Sequence, residues 1–91
     1  MPYIKREERS VYQEHIAELA RLVPNERMSR PGHMNYIISL LLNKVYGSDI
    51  RYADHNEIIG LLSCVQAEFY RRYTAPYEDE KVISEGDLED T

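Results

Sequence analysis

The sequence has a single cysteine, no tryptophan, and only four glycines and four prolines among its 91 residues. Cys64 has no partner for a disulfide within the chain, which favours a reducing compartment and a cytoplasmic protein. No apolar run approaches the roughly 20 residues of a membrane span, and no signal-peptide pattern follows Met1. A chain this short has a modest core, so without disulfides we expect a homo-oligomer.

Motifs for catalysis and for metal binding are also missing. The few glycines form no phosphate-binding loop, dinucleotide fingerprint or nucleophile elbow. His15, His33 and His55 lie in three separate segments without the spacing of metal ligands. Cys64 lies among apolar residues, and we expect it to pack in a core rather than to act as a nucleophile. The sequence therefore predicts a non-enzymatic protein with no metal and no cofactor.

Charge is unevenly distributed along the chain, whose net charge is −5. Residues 76–91 contain seven acidic residues and one lysine, a local charge of −6, so residues 1–75 carry +1. We take residues 1–75 as a helical domain and residues 76–91 as an acidic tail. This balance argues against binding to double-stranded nucleic acid. The tail alone has a disordered composition, but we expect Val82 and Ile83 to dock it on the body or on a neighbouring subunit.

Apolar residues recur with helical spacing in three segments. The first begins at Ser10, a plausible N-cap, and ends before Pro24. A loop over Pro24–Gly32 follows, and the second segment runs from about His33 to Tyr46. Its apolar residues cover most of the helix circumference, so we expect it to contact neighbours on two sides, within one chain or across a dimer.

The third segment opens with a capping box, in which Asp54 accepts from the backbone and Glu57 reaches back. It continues to about Tyr73, and Pro76 is expected to stop it because proline lacks an N–H group. The three segments together predict an all-α fold of three main helices in a small bundle.

The most distinctive residues combine aromatic rings with positive charge. Eight tyrosines are present, and several have lysine or arginine beside them. The candidate ligand-binding residues are Tyr3, Lys5, Arg6, Tyr70, Arg71, Arg72, Tyr73 and Tyr77. Rings can stack on a base while guanidinium groups bind phosphate. The same residues can instead extend the core and neutralise a helix C-terminus and the acidic tail, and both interpretations stay open.

Several short motifs, taken as a set, resemble a known family. They are Met1–Ile4, Asn35–Ile38, Asn56–Gly60, Glu68–Arg72, Ala75–Asp79 and Gly86–Asp87. Together they resemble a family of small uncharacterised proteins of bacteriophage and bacterial genomes. The likeness spans most of the chain and is poorest over Pro24–Gly32. It implies a phage-type accessory protein and transfers no catalytic or binding residue.

Two functions from different classes follow as hypotheses. The leading one is an anti-defence protein that binds and sequesters a small phosphorylated ligand, such as a nucleotide or a cyclic nucleotide immune signal. The alternative is a protein-interaction module that inhibits a host protein or has a structural role, for which the acidic tail is suited. A third and weaker hypothesis is binding of single-stranded nucleic acid, with steep salt dependence.

Overall fold

The computed structural model describes residues 4–89, and all regular secondary structure in that range is helical. Its elements are, in chain order, a 3-10 turn at Arg6–Glu8, α1 at Ser10–Leu22, α2 at Arg30–Tyr46, α3 at Tyr52–Phe69, a π turn at Tyr70–Thr74 and α4 at Ala75–Glu85. Because the π turn joins α3 directly to α4, the described chain has three helical segments. The prediction of an all-α protein is confirmed.

The chain divides into two compact units, each held together by its own contacts. They are Met1–Asp54, called unit 1, and His55–Thr91, called unit 2. Unit 1 contains α1, α2 and the first turn of α3, and unit 2 contains the rest of the third helical segment. The sequence instead assigned residues 1–75 to a domain and residues 76–91 to a tail. That division stays a prediction, and α4 begins at its boundary.

Glu26 organises the connection between α1 and α2. Its carboxylate accepts hydrogen bonds from the N–H groups of Met28, at 2.9 Å, and Ser29, at 3.1 Å. The side chain of Ser29 and the N–H of Met28 hold the pKa of Glu26 below its ordinary value. The helix that follows begins before His33, which corrects the predicted loop boundary. Pro31 lies in its first turn, where a missing N–H group costs no hydrogen bond.

The first turn of α3 also differs from the prediction. The helix begins at Tyr52, two residues before the predicted cap. The Asp54 carboxylate accepts a hydrogen bond from the N–H of Arg51 at 3.0 Å. Asp54 therefore makes the reach-back contact that the sequence assigned to Glu57, because an acidic residue can serve either end of a capping box.

Pro76 does not stop the third helical segment, which corrects a second prediction. The N–H of Ala75 donates to the carbonyl of Tyr70, five residues earlier, so the helix widens into a π turn just before the proline. In a regular α-helix the proline ring clashes with the carbonyl four residues earlier. The wider turn changes that register, and helical structure continues to Glu85.

None of the side chains described in residues 4–89 is buried. The best covered aliphatic residues are only half-buried, and they are Val23, Ile37, Leu42, Ile50, Ile58, Leu61, Leu62 and Ala75. Cys64 is exposed, which corrects its predicted place in a core.

Candidate functional site

The predicted ligand-binding residues are divided between the two units. Lys5 and Arg6 belong to unit 1, at the start of the described chain, and Tyr3 lies outside the described residues. The other five belong to unit 2 and follow one another along the third helical segment. With Glu68 they form the tyrosine–arginine cluster, whose members are Glu68, Tyr70, Arg71, Arg72, Tyr73 and Tyr77.

Two guanidinium groups of the cluster converge on one carboxylate oxygen. Arg71 Nη2 lies 3.0 Å from Glu68 Oε1, and Arg72 Nε pairs with the same oxygen. Their spacings of three and four residues place all three side chains on neighbouring positions of the helix surface. Partial desolvation raises the pKa of Glu68. The hydrogen bonds and charges of the two arginines lower it by more, so the pKa lies below its ordinary value.

These ion pairs leave the arginines accessible to solvent. The side chains of Arg71 and Arg72 are 68% and 49% exposed, whereas that of Glu68 is 27% exposed. Exposed ion pairs of this kind contribute little to stability, so a competing anion can replace the carboxylate at small cost. The two ion pairs with Glu68 therefore hold both guanidinium groups in place while leaving them accessible to solvent.

Tyr70 links the two sides of the π turn. Its hydroxyl donates a hydrogen bond to Glu78 Oε1, eight residues along the chain. The hydrogen bond to Glu78 and the negative charge of that carboxylate raise the pKa of Tyr70. This contact supports the helix across the π turn.

Three aromatic rings follow at four-residue intervals, at Phe69, Tyr73 and Tyr77. The ring centroids of Phe69 and Tyr73 are 4.9 Å apart with planes tilted by 47°. Lys81 continues the spacing, and its Nζ lies 5.7 Å from the centroid of Tyr77. All three rings are exposed over more than half of their surface. Phe69 was not among the predicted ligand-binding residues, and it extends the row of exposed rings formed by the two tyrosines.

Unit 1 contains a second feature, an apolar cleft between α1 and α2 of about 140 Å³. Its lining residues are Ile16, Leu19, Ala20, Val23, Met34 and Ile37. All of them are apolar, and sequence analysis assigned them to core stripes rather than to a site.

Two absences bear on function. Within residues 4–89, no helix combines the length and the apolar character that crossing a membrane requires. The same part of the chain contains no group of three or more His, Cys, Asp or Glu residues that could hold a metal ion.

The family model of a domain of unknown function (DUF6899) matches residues 1–88. The chain belongs to the DUF6899 family. This agrees with the resemblance to an uncharacterised family, and the match includes both the tyrosine–arginine cluster and the apolar cleft. Comparisons with curated proteins and with solved structures found no match. Membership of DUF6899 assigns no role to any residue.

Proposed function

We propose that this DUF6899 protein is a non-catalytic binding protein that assembles with copies of itself. The bundle of three main helices that the sequence predicted for one chain stays a prediction, and in this proposal helices of different copies also pack against one another. The observation that carries the proposal is the lack of any buried side chain among residues 4–89. A folded domain needs such a core, because burial of apolar surface is the main favourable term in folding.

Magnitudes favour association over a folded single chain. Ordering the backbone costs about 1–2 kcal/mol per residue, and full burial of a leucine or isoleucine returns about 1.5–3 kcal/mol. Leu22 and Val45 of unit 1 remain exposed, as do Ile59 and Ile83 of unit 2. Burial within one chain is therefore too small to offset the ordering of its helices, and a second copy supplies the missing contacts.

The second helix is suited to lie at the centre of such an assembly. Tyr36 and Val45 are nine residues apart, which places them about 180° apart around α2. Both are exposed. A helix with large apolar side chains on opposite sides gains most when it contacts neighbours on both.

Sedimentation velocity and light scattering on the purified chain test self-assembly. We expect a particle of two or more copies at micromolar concentration, and a melting temperature that rises with protein concentration because assembly stabilises the fold. A particle with the mass of one chain, melting at the same temperature at every concentration, would contradict the proposal.

A second function, binding of a small phosphorylated ligand, is supported by the tyrosine–arginine cluster. Arg71 and Arg72 lie exposed on one part of the helix surface, next to the rings of Tyr70 and Tyr73 in the chain. Phosphate oxygens can replace the Glu68 carboxylate, and an exposed ring can stack on a base. A nucleotide or a cyclic nucleotide immune signal has this chemistry, and its sequestration is the proposed role in a phage-type accessory protein.

Calorimetry against a panel of nucleotides and cyclic nucleotides tests this second function. We expect Arg71→Ala to weaken binding about tenfold or more, since charged hydrogen bonds contribute about 1.5–3 kcal/mol. Glu68→Gln should strengthen binding, because it removes the competing carboxylate. Arg21→Ala is the matched control, since Arg21 forms an ion pair of the same three-residue spacing with Glu18 in unit 1. No heat with any member of the panel would contradict ligand binding.

The alternative from the sequence, a module that inhibits a host protein, stays a prediction. It draws on the same exposed apolar surfaces as self-assembly and on the acidic residues of unit 2. Capture of a host protein in a fixed ratio to this chain would favour it.

A further inference from the structure

We propose that α4 of one copy docks into the α1–α2 cleft of a second copy, with Ile83 as the anchoring side chain. This inference rests on the proposed self-assembly and names the surfaces that carry it. Helix-in-groove docking of this kind is a recurrent mode of recognition, in which apolar anchors give affinity and flanking charges give orientation.

The docking helix has an exposed apolar side chain that can serve as an anchor. Ile83 is 86% exposed, and it lies on α4 of unit 2. Asp79 and Glu80 precede it by four and three residues, so they share its side of the helix. Glu80 forms no ion pair with any residue in the described part of the chain. The helix thus presents an isoleucine flanked by two carboxylates.

The receiving cleft has a size that suits one such side chain. Its volume is about 140 Å³ and its lining is wholly apolar. Apolar cavities of about 150 Å³ hold one benzene molecule, so an isoleucine side chain can be accommodated. A water molecule in the cleft lacks polar partners, which favours an apolar occupant.

Positive charge lies at one end of the cleft. Arg30 precedes Met34 and Ile37 of the lining by four and seven residues, which places all three on one side of α2. Its Nη1 donates to the Asn25 side-chain oxygen at 2.9 Å, a neutral partner. Arg27 belongs to the turn just before α2 and forms no ion pair within residues 4–89. Both guanidinium groups are available to the carboxylates of a docking helix.

The charges of the two units favour pairing between units of opposite sign. Residues 1–54 contain eight basic and seven acidic residues, a net charge of +1, and residues 55–91 contain three and nine, a net charge of −6. Two acidic units repel one another, whereas the acidic helix of one copy is attracted to the arginines beside the cleft of another. Each copy offers one helix and one cleft, so two copies satisfy each other in a closed, two-fold symmetric exchange.

Sedimentation of the anchor variant in the full chain is the first test. Ile83→Ser should weaken self-association about tenfold or more, since it removes one buried aliphatic side chain. Tyr52→Ser is the matched control, because Tyr52 is 80% exposed and belongs to the start of α3, outside both α4 and the cleft lining. A wild-type chain that assembles while Ile83→Ser assembles equally well would overturn the docking inference alone. A wild-type chain that never assembles would overturn both proposals.

A charge exchange between two chains is the second test. Arg30→Glu and Glu80→Arg should each weaken self-association, because each places like charges together at both contacts of the dimer. An equimolar mixture of the two variants should recover it, since every contact then pairs opposite charges. Glutamate is favoured at the first position of a helix, so Arg30→Glu is expected to keep α2 folded.

Recovery in the mixture requires contact between two different chains. If the mixture fails to recover while a chain carrying both substitutions does, the contact forms inside one chain and the inference is overturned. Helix content measured by circular dichroism accompanies each sample, so that loss of a helix is distinguished from loss of association.

Discussion

The two units use their polar contacts in different places. In unit 1 the side-chain contacts of Glu26 and Asp54 with the backbone lie at the helix ends, where these carboxylates accept from N–H groups just before α2 and just before α3. In unit 2 the contacts join side chains to each other around the π turn, as Glu68 does with its two arginines and Tyr70 does with Glu78. The first pattern fixes where helices begin, and the second supports a helix across an irregular turn.

This difference follows from the sequence of each unit. Unit 1 has two connections between helices, and each helix start leaves N–H groups that need acceptors. The described part of unit 2 has no such connection, but it has Pro76 within a helical segment. A proline is tolerated there because the wider turn before it removes the clash, and the surrounding side chains bridge that turn. The comparison is therefore between helix ends and a helix interior.

The largest expected effect comes from placing a proline where no π turn precedes it. Ala67→Pro in α3 should destabilise the protein by about 3 kcal/mol, because the ring clashes with the preceding turn and an N–H donor is lost. Chemical denaturation followed by circular dichroism measures the change. Ala67→Ser is the control and should cost well under about 1 kcal/mol. Equal denaturation midpoints for the two variants would mean that the π turn is not what makes Pro76 tolerable.

Sequence analysis predicted the helices but not how they begin and continue. The spacing of apolar residues identified three helical segments, because this spacing is a property of the sequence and does not depend on how the helices pack. The error at Pro31 arose because proline favours a turn and also the first turn of a helix, and the dipeptide Pro31–Gly32 does not distinguish them. The error at Pro76 arose because a π turn has no sequence signal that outweighs a proline.

Glycine substitutions should change stability less than Ala67→Pro does, and each unit offers two of them. Gly47 follows α2 with φ 79° and Gly86 follows α4 with φ 95°, the left-handed region that favours glycine. Gly47→Ala and Gly86→Ala should each cost about 1–2 kcal/mol. Gly32 and Gly60 lie inside helices, and a Cβ added to either would have no neighbour within 4 Å, so alanine there should add up to about 1 kcal/mol.

Thermal denaturation of the four single variants checks this prediction, with one gain and one loss expected in each unit. Equal signs at Gly32 and Gly47 would show that backbone conformation is not what distinguishes them. A gain at Gly32 that disappears on dilution would instead place this part of α2 in a contact between copies.

The candidate site was predicted in part from the sequence. Residue types alone indicated that Arg71 and Arg72 lie near tyrosines, and the structure places them on one carboxylate. Helix spacing already indicates Glu68 as a partner, because it is the only acidic residue three or four positions from either arginine. The cleft of unit 1 was missed because an apolar stripe has the same pattern whether its own chain covers it or not.

The smallest expected effect concerns the pKa values of one glutamate in each unit. Glu26 and Glu68 both have pKa values below the ordinary value. Each carboxylate therefore stabilises the folded chain above its unfolded pKa, and that contribution is lost as the pH falls through the folded pKa. The causes differ, however. Hydrogen bonds with Ser29 and Met28 lower the pKa of Glu26, whereas hydrogen bonds and the charges of two arginines outweigh desolvation at Glu68.

Salt separates these causes, because it screens exposed charges over about 10 Å at 0.1 M but leaves hydrogen bonds in place. In carboxyl NMR titrations, added salt should raise the pKa of Glu68 and leave that of Glu26 nearly unchanged. Arg71→Ala should likewise raise only the pKa of Glu68, and Ser29→Ala only that of Glu26. If salt moves both values equally, charge acts at the helix end as it does at the π turn, and the distinction between the two units no longer holds.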